Sequence, residues 1–278
     1  MSGGGARLAP RGFVGEEGDG CLLLVREGLL PAVRAAGLGE RGTWERALRA
    51  TPEGPGRGAI ARLVLPGGPR IVLKRMRRGG VAGPLWRDRF AGRARLVANL
   101  EVPLAAAARG VPTAAPVALL LVEGPSSLAR AWLAVEEIEG ALDLETRLRA
   151  GSASRDELAA ALVVVRKAHD AGLLHPDLNL GNLLVRTAPA LAPEAFLVDL
   201  DRARLEDRPL SFGRRRAALR RLERSYLKKL GRQGPLGANP GDLLRSLYAG
   251  GDEALALRLR AARGLDRLLV AVHRAGSR

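Results

Sequence analysis

One stretch of the sequence decides the fold: HDAGLLHPDLNLGNLLV at residues 169–185, followed by FLVDLD at residues 196–201. Apolar residues at helical spacing precede it and predict a helix over Asp156–Ala171. Two short apolar runs, Leu183–Arg186 and Phe196–Asp199, predict strands. The polar residues of this stretch are therefore expected on a loop held between regular elements.

Three of those polar residues are spaced as in enzymes that transfer phosphoryl groups. Asp177 follows His175 by two residues, Asn182 comes five residues later, and Asp199 ends the second apolar run. In kinases one Asp accepts the proton of the attacking hydroxyl, while an Asn and another Asp hold Mg²⁺ against the ATP phosphates. We predict Asp177 as the catalytic carboxylate, and Asn182 and Asp199 as Mg²⁺ ligands. Each acid alone would equally suit a cap or a turn, so the prediction depends on the set.

The two histidines of the stretch, His169 and His175, are not predicted to be general bases. A histidine base needs an orienting acid, and the sequence identifies none. His169 falls on the apolar side of the predicted helix, and His175 begins the loop. We expect both to have structural roles.

Lys74 is the candidate for binding ATP phosphates. It is the only lysine in the first 160 residues and follows the apolar run Ile71–Leu73. A lysine on such a strand can reach ATP phosphates, although an exposed strand edge would also accommodate one. Glu101, in a predicted helix over Trp86–Ala108, is its expected partner.

Two further nucleotide contacts are predicted before residue 140. Gly56 and Gly58 lie in a Gly- and Pro-rich loop that would let backbone N–H groups approach phosphates, although a simple turn fits the pattern equally well. The backbone at Glu137 is expected to contact adenine.

The charge of the chain indicates an anionic partner. Its 278 residues include 45 Lys and Arg against 29 Asp and Glu, a formal net charge of +16. This excess favours acidic lipid, nucleic acid or a phosphorylated substrate, although a solvated basic surface would also explain it. Aromatic residues make up only 3% of the chain, so a base-stacking nucleic-acid surface is not expected.

The sequence pattern predicts a cytoplasmic protein. A single cysteine, Cys21, excludes an intramolecular disulfide. No apolar run reaches the length of a bilayer span, and the N-terminus lacks the basic and apolar segments of a signal peptide.

The order of the predicted elements indicates an α+β fold in three parts. Residues 1–40 are Gly-rich and are predicted to form an irregular extension with one short element around Cys21–Val25. Residues 41–139 are predicted to form a small, mostly β domain, including a hairpin of Ile60–Leu65 with Arg70–Met76. Residues 140–278 are predicted to be mostly helical, with a long basic helix over Phe212–Leu230.

The chain resembles the lipopolysaccharide kinase family, and within it the kinases of 3-deoxy-D-manno-octulosonic acid (Kdo). The resemblance runs from about Gly56 to Lys229. The motifs that carry it are GRG at 56–58, VLKRMRRGG at 72–80, GVP at 110–112, EIEG at 137–140, HPDLNLGN at 175–182, LVDLDR at 197–202 and LRRLERSYLK at 219–228. Asn179 stands where protein kinases usually carry Lys, and Asp199-Leu-Asp201 replaces their Asp-Phe-Gly.

This resemblance implies a protein-kinase-like bilobal fold, with a small β-rich N-lobe, a mostly helical C-lobe and ATP in the cleft between them. It implies ATP, Mg²⁺ and transfer of phosphate to the 4-hydroxyl of Kdo on lipid A. The enzyme would then contact the anionic cytoplasmic face of the inner membrane peripherally. Arg77, Arg78 and Asn179 are the expected substrate contacts.

Two other readings stay open. The acceptor could be another sugar, such as a core heptose or a small glycoside. A non-enzymatic alternative is a basic pseudokinase that docks on membrane or nucleic acid, which the intact Lys74, Asp177, Asn182 and Asp199 disfavour. A protein kinase is disfavoured because no Ala-Pro-Glu follows Asp201 to end an activation segment.

Overall fold

The computed structural model describes residues 9–51, 59–77, 88–124, 128–231, 234–237 and 239–262. The chain divides into two compact units. The first comprises residues 1–105 and 114–139, and the second comprises residues 106–113 and 140–278. The predicted sites Gly56, Gly58 and Arg78 lie outside the described residues.

The first unit is built on an antiparallel sheet. Its described strands are β1 (Phe13–Gly18), β2 (Cys21–Arg26), β3 (Ile60–Val64), β4 (Arg70–Arg75), β5 (Phe90–Ala91), β6 (Pro116–Glu123) and β7 (Leu128–Glu136). They run in the order β1-β2-β6-β7-β4-β3, with β5 also paired to β7. The predicted hairpin is confirmed, since β3 and β4 pair from Ile60 opposite Lys74 to Val64 opposite Arg70.

Helices cover both faces of this sheet. They are α1 (Leu30–Ala35), α2 (Arg41–Arg49) and α3 (Arg93–Ala108), the last ending in the second unit. Because side chains alternate along a strand, Leu23 of β2 packs in a cluster with Trp44 of α2, and Leu24 packs in the opposite cluster with Leu100 of α3. Each fully buried side chain of this size stabilises the unit by roughly 1.5–3 kcal/mol.

The prediction of an irregular extension over residues 1–40 is wrong for the described part of that segment. The run Cys21–Arg26 forms β2, inside the sheet between β1 and β6. Asp19 and Gly20 join β1 to β2 with φ of 49° and 70°. Positive φ at both central residues is typical of a type I′ hairpin turn, for which Asp-Gly is a strong signal.

The second unit is mostly helical. Its helices are α4 (Leu144–Arg149), α5 (Arg155–Asp170), α6 (Phe212–Leu230), α7 (Pro240–Ala249) and a helical segment at residues 253–262. Its described strands are β8 (Ala141–Asp143), β9 (Leu173–Leu174), β10 (Leu183–Arg186), β11 (Glu194–Leu197) and β12 (Arg204–Leu205). Strand β10 lies between β8 and β11, and β12 pairs with β9. Helix α5 packs against β10, β11 and α7.

Helix α5 positions the loop that follows it, and both of its ends are defined. Ser154 and Glu157 form a capping box at its start, where the buried Glu157 carboxylate also pairs with Arg147. After its end, Gly172 has φ of +83°, and a Cβ there would lie 2.3 Å from the carbonyl oxygen of Glu206. Only glycine fits this turn.

No helix in the described part of the chain is both long enough and apolar enough to cross a membrane.

Candidate active site

The loop between β9 and β10 is pinned by His175. The Nδ1 of His175 accepts the backbone N–H of Asp177 at 3.2 Å, so the ring proton is on Nε2, which donates to the carbonyl oxygen of Val198 at 3.1 Å. Burial lowers the pKa of His175, against the opposing effects of that carbonyl and of Asp199, Asp177 and Asp201. A neutral imidazole therefore ties the loop to the end of β11, and its two nitrogens are both occupied.

Two asparagines hold the backbone of Asp177 while its side chain stays exposed. The carbonyl oxygen of Asp177 accepts the side-chain amide of Asn182 at 3.0 Å and that of Asn179 at 2.9 Å. The Oδ1 of Asn179 also accepts the backbone N–H of Gly181 at 2.9 Å, which caps the 3₁₀ turn Leu180–Asn182. The carboxylate of Asp177 is thus presented to solvent from a loop whose backbone is fixed.

The second unit brings Asn182 and Asp199 to the same end of the β10–β11 hairpin. Leu183 pairs with Leu197, and the N–H of Val198 donates to the carbonyl oxygen of Asn182 at 2.9 Å. Asp199 comes directly after Val198, with an exposed side chain and φ of +63°. A left-handed backbone at a residue other than glycine costs about 1 kcal/mol or more, so the surrounding structure holds Asp199 against that cost.

The donor chemistry at this end of the hairpin fits Mg²⁺. Among the described residues there is no group of three or more His, Cys, Asp or Glu side chains that could hold a metal. One carboxylate from Asp199 and one amide oxygen from Asn182 are hard oxygen donors, and Mg²⁺ typically takes one or two such ligands plus water and substrate phosphates. Asn182 donates its amide N–H to Asp177, which orients the amide group. The residues present therefore fit a metal that arrives with its nucleotide.

Lys74 lies on the face of the first unit's sheet that α3 covers. It pairs directly opposite Leu133 of β7, and Leu133 packs in the same cluster as Leu100 of α3. Its side chain is half-buried. The position suits a lysine held on a strand, as predicted.

The predicted Lys74–Glu101 pair is not formed. Glu101 is exposed, and no ion pair to it occurs within the described part of the chain. Asn99, two residues earlier on α3, is instead buried at 3% exposure. Its Nδ2 donates to the carbonyl oxygens of Arg95 and Leu96, and its buried Oδ1 has no hydrogen-bond partner among the described residues. Asn99 lies three residues after the buried Leu96, so the two residues share one side of the helix. This spacing is the sequence signal that could have indicated that Asn99 faces the core.

Glu137 is engaged through its carboxylate in ion pairs with two arginines. Its carboxylate accepts Nε of Arg62 at 2.8 Å and Nε of Arg70 at 2.9 Å, and its backbone N–H donates to the carbonyl oxygen of Arg70 at 2.9 Å. The predicted adenine contact at Glu137 would therefore have to use its remaining backbone oxygen. Arg77, predicted to contact substrate, is exposed.

The profile of the lipopolysaccharide kinase (Kdo/WaaP) family matches residues 42–242 of the chain. This protein belongs to that family. The predicted resemblance is confirmed, and with it the assignment as a phosphotransferase that acts on a sugar hydroxyl.

Curated relatives agree with the family assignment. A 3-deoxy-D-manno-octulosonic acid kinase of Xanthomonas oryzae pv. oryzae is 34% identical over 220 residues, covering 77% of this chain and 83% of the relative. The corresponding kinase of Haemophilus influenzae is 27% identical over 196 residues, covering 68% and 80%.

A solved structure confirms the fold of this lipopolysaccharide kinase. The structure described as WaaP in complex with acyl carrier protein superposes with a TM-score of 0.50 at 19% identity, and covers 86% of this chain and 97% of that one. At this identity the likeness concerns the fold alone. It confirms the predicted α+β, protein-kinase-like class.

A polar network surrounds the buried His169 near the end of α5 in this lipopolysaccharide kinase. Arg215 donates to the hydroxyl oxygen of Tyr248 at 3.3 Å, so the Tyr248 hydroxyl donates its own proton to Nδ1 of His169 at 2.9 Å. Arg215 also pairs with Asp170 at 2.5 Å. Burial, followed by the charge of Arg215, lowers the pKa of His169 from 6.5 to about 3. This network joins α5, α6 and α7, and both histidines have the structural contacts expected of them.

Proposed function

We propose that this lipopolysaccharide kinase transfers the γ-phosphoryl group of ATP to the 4-hydroxyl of Kdo on lipid A. The observation that carries the proposal is the loop at residues 175–182, where the exposed carboxylate of Asp177 stands on a backbone fixed by His175, Asn179 and Asn182. Phosphoryl transfer needs positioning and charge stabilisation more than covalent help from the protein.

In this proposal Asp177 accepts the proton of the Kdo hydroxyl as that oxygen attacks the γ-phosphorus. The new oxygen–phosphorus bond forms while the bond to the β–γ bridging oxygen breaks, and ADP leaves with the electron pair of that bond. Asn182 and Asp199 would hold Mg²⁺, and Lys74 would bind phosphate oxygens. Mg²⁺, when bound, offsets the negative charge of the phosphates.

The acceptor class is supported by charge. Kdo carries a carboxylate and lipid A carries phosphates, and the chain has a net charge of +16. We propose that Arg77, Arg78 and Asn179 contact this acceptor. Gly56 and Gly58 remain proposed phosphate contacts, and Glu137 a proposed adenine contact. Such a substrate places the enzyme on the cytoplasmic face of the inner membrane, held by peripheral contact with anionic lipid.

An acceptor screen tests the proposal. The purified chain is incubated with labelled ATP and Mg²⁺ and either Kdo–lipid A, a heptose-containing core acceptor or small glycosides, and the phosphorylated position is read by NMR. Phosphate at the 4-position of Kdo is the expected result. Kdo–lipid A left unmodified while another glycoside is phosphorylated would retain the sugar-kinase activity and refute the acceptor.

A further inference from the structure

The basic residues of α6 include two groups that differ in whether they form ion pairs. One group is paired with carboxylates of the second unit: Arg214 with Glu206, Arg215 with Asp170, and Lys229 with Glu145. For Arg221, Arg224 and Lys228, by contrast, the described ranges contain no ion-pair partner. These three, which we call the α6 cation face, therefore keep their full charge available to a ligand.

The α6 cation face adjoins the loop that carries Asp177. The Oγ of Ser225 accepts the backbone N–H of Leu180 at 3.5 Å, which places this side of α6 against the 3₁₀ turn at the end of the loop. Arg221 comes four residues before Ser225 and Lys228 three residues after it. Residues at these spacings share one side of a helix.

Arg224 extends the same surface toward solvent. At 100° per residue it falls next to Lys228 and away from Leu222 and Tyr226, which are buried in the core. Arg224 and Lys228 are exposed, and Arg221 is half-buried. The three cations thus form one continuous surface that begins at the contact between Ser225 and the loop.

A surface of this kind suits phosphate groups. The guanidinium fork of arginine matches phosphate oxygens bidentately, and lysine adds a compact positive charge. Three like charges on neighbouring helical turns repel one another. An anion of charge −2 placed over them would offset that repulsion, so the arrangement favours a phosphomonoester over a neutral sugar.

We propose that Arg221, Arg224 and Lys228 bind the phosphates of lipid A, and so hold the acceptor with its Kdo hydroxyl at Asp177. This inference rests on the proposed function and adds a site to it. The same cations could in principle meet phosphate on membrane lipids, so the test separates the acceptor from the bilayer.

The test compares two variants with matched loss of charge. One carries Arg221→Gln, Arg224→Gln and Lys228→Gln. The control carries Arg155→Gln, Lys167→Gln and Arg208→Gln, which are exposed in the same unit and have no ion pair within the described residues. Binding to Kdo–lipid A is measured at equilibrium in neutral detergent micelles, with the lipid A phosphates intact or removed. Binding of the same variants to vesicles containing anionic lipid but no Kdo–lipid A is measured in parallel.

The first variant is expected to raise the Kd for the phosphorylated acceptor by about tenfold or more, because it loses hydrogen bonds between charged groups. Its Kd for the dephosphorylated acceptor and its Kd for Mg-ATP should stay at the wild-type values. The control variant should bind both acceptors as wild type does. Arg221→Lys with Arg224→Lys should recover part of the affinity, because the charge is kept.

Two results would overturn the inference. The Kd for the phosphorylated acceptor in neutral micelles could be the same for the two variants. Alternatively, the first variant could lose affinity only for vesicles containing anionic lipid, which would assign the α6 cation face to the membrane. Because binding is measured without turnover, failure of the wild type to phosphorylate Kdo would refute the proposed function separately.

Discussion

Asn182 donates its side-chain amide to the backbone carbonyl oxygen of Asp177 at 3.0 Å. The proposed metal ligand and the proposed catalytic base are thereby joined by one hydrogen bond. A change at Asn182 should therefore affect both the metal and the loop that presents the base.

The variants Asn182→Ala and Asn182→Asp separate these two roles. Asn182→Ala removes both the oxygen ligand and the donor, and we expect the Mg²⁺ concentration for half-maximal activity to rise with a fall in kcat. Asn182→Asp keeps an oxygen ligand, but its carboxylate would face the Asp177 carbonyl. We expect it to retain Mg²⁺ dependence near the wild-type value with a lower kcat. Mg²⁺ titrations at saturating ATP measure both, and an Asn182→Ala enzyme with unchanged Mg²⁺ dependence would exclude Asn182 as a ligand.

Gly172 is expected to be intolerant of substitution. A Cβ at this position would lie 2.3 Å from the carbonyl oxygen of Glu206 and 2.7 Å from that of Arg208. We expect Gly172→Ala to lower the free energy of unfolding by about 3 kcal/mol, as strain and displaced backbone combine. Urea denaturation measures the change.

Gly151→Ala is the matched control for Gly172→Ala. Gly151 also has positive φ, +66°, but a Cβ there would meet nothing within 4 Å. Gly151→Ala should lower the free energy of unfolding by only about 1 kcal/mol, which is the cost of a left-handed backbone at a residue other than glycine. Equal losses for the two variants would show that the crowding at Gly172 has no energetic consequence.

His169 should make the folded state less stable in acid. Burial lowers its pKa from 6.5 to about 3, so between those values the unfolded chain binds a proton that the folded chain does not. Stability is therefore full above pH 6.5 and falls as the pH drops toward 3, with a slope of up to about 1.4 kcal/mol per pH unit from this group. The pKa of His175 is also lowered by burial, so it acts in the same direction.

Comparison of wild type with His169→Gln isolates this contribution. Glutamine can still accept the Tyr248 hydroxyl through its side-chain oxygen, but it does not titrate. The free energy of unfolding of the variant, measured from pH 7 to pH 4, should fall less steeply than that of wild type. Parallel curves would contradict the assignment of the acid sensitivity to His169.

Asn99 carries a buried oxygen that has no hydrogen-bond partner in the part of the chain that the structure describes. Replacing such a group with an apolar side chain of similar size removes its desolvation cost. We expect Asn99→Leu to raise the free energy of unfolding by about 1 kcal/mol, while Asn99→Ala should lower it by leaving a cavity. A destabilised Asn99→Leu variant would mean that the side-chain oxygen of Asn99 accepts a hydrogen bond in the folded protein.

The structure of the proposed active-site loop could be predicted because its hydrogen bonds are local. His175, Asn179 and Asn182 all bond to backbone within five residues of themselves or to the adjoining strand, so their spacing along the chain carries the geometry. The long helices α5 and α6 were predicted for the same reason, from apolar periodicity within a single segment.

Other elements depend on contacts that the sequence pattern alone does not specify. Which face of α3 is buried depends on the sheet that it packs against. Glu101 was therefore chosen because it is the only acid of the predicted helix besides Asp88, and the buried Asn99 was missed. The strand β2 was recognised only as a short element, because its place inside the sheet depends on its pairing with β6, far along the chain. The six-residue helix α4 begins at the cap Asp143 and is too short to show a period.

The central claim is that Asp177 accepts the proton of a Kdo hydroxyl. The most direct measurement compares wild type with Asp177→Asn on Kdo–lipid A, with the rate of phosphoryl transfer and the Kd for Mg-ATP determined on the same preparations. We predict that the rate falls by about 10²–10⁴-fold while the Kd for Mg-ATP stays within a factor of about two. An Asp177→Asn enzyme that phosphorylates Kdo at the wild-type rate would contradict the account.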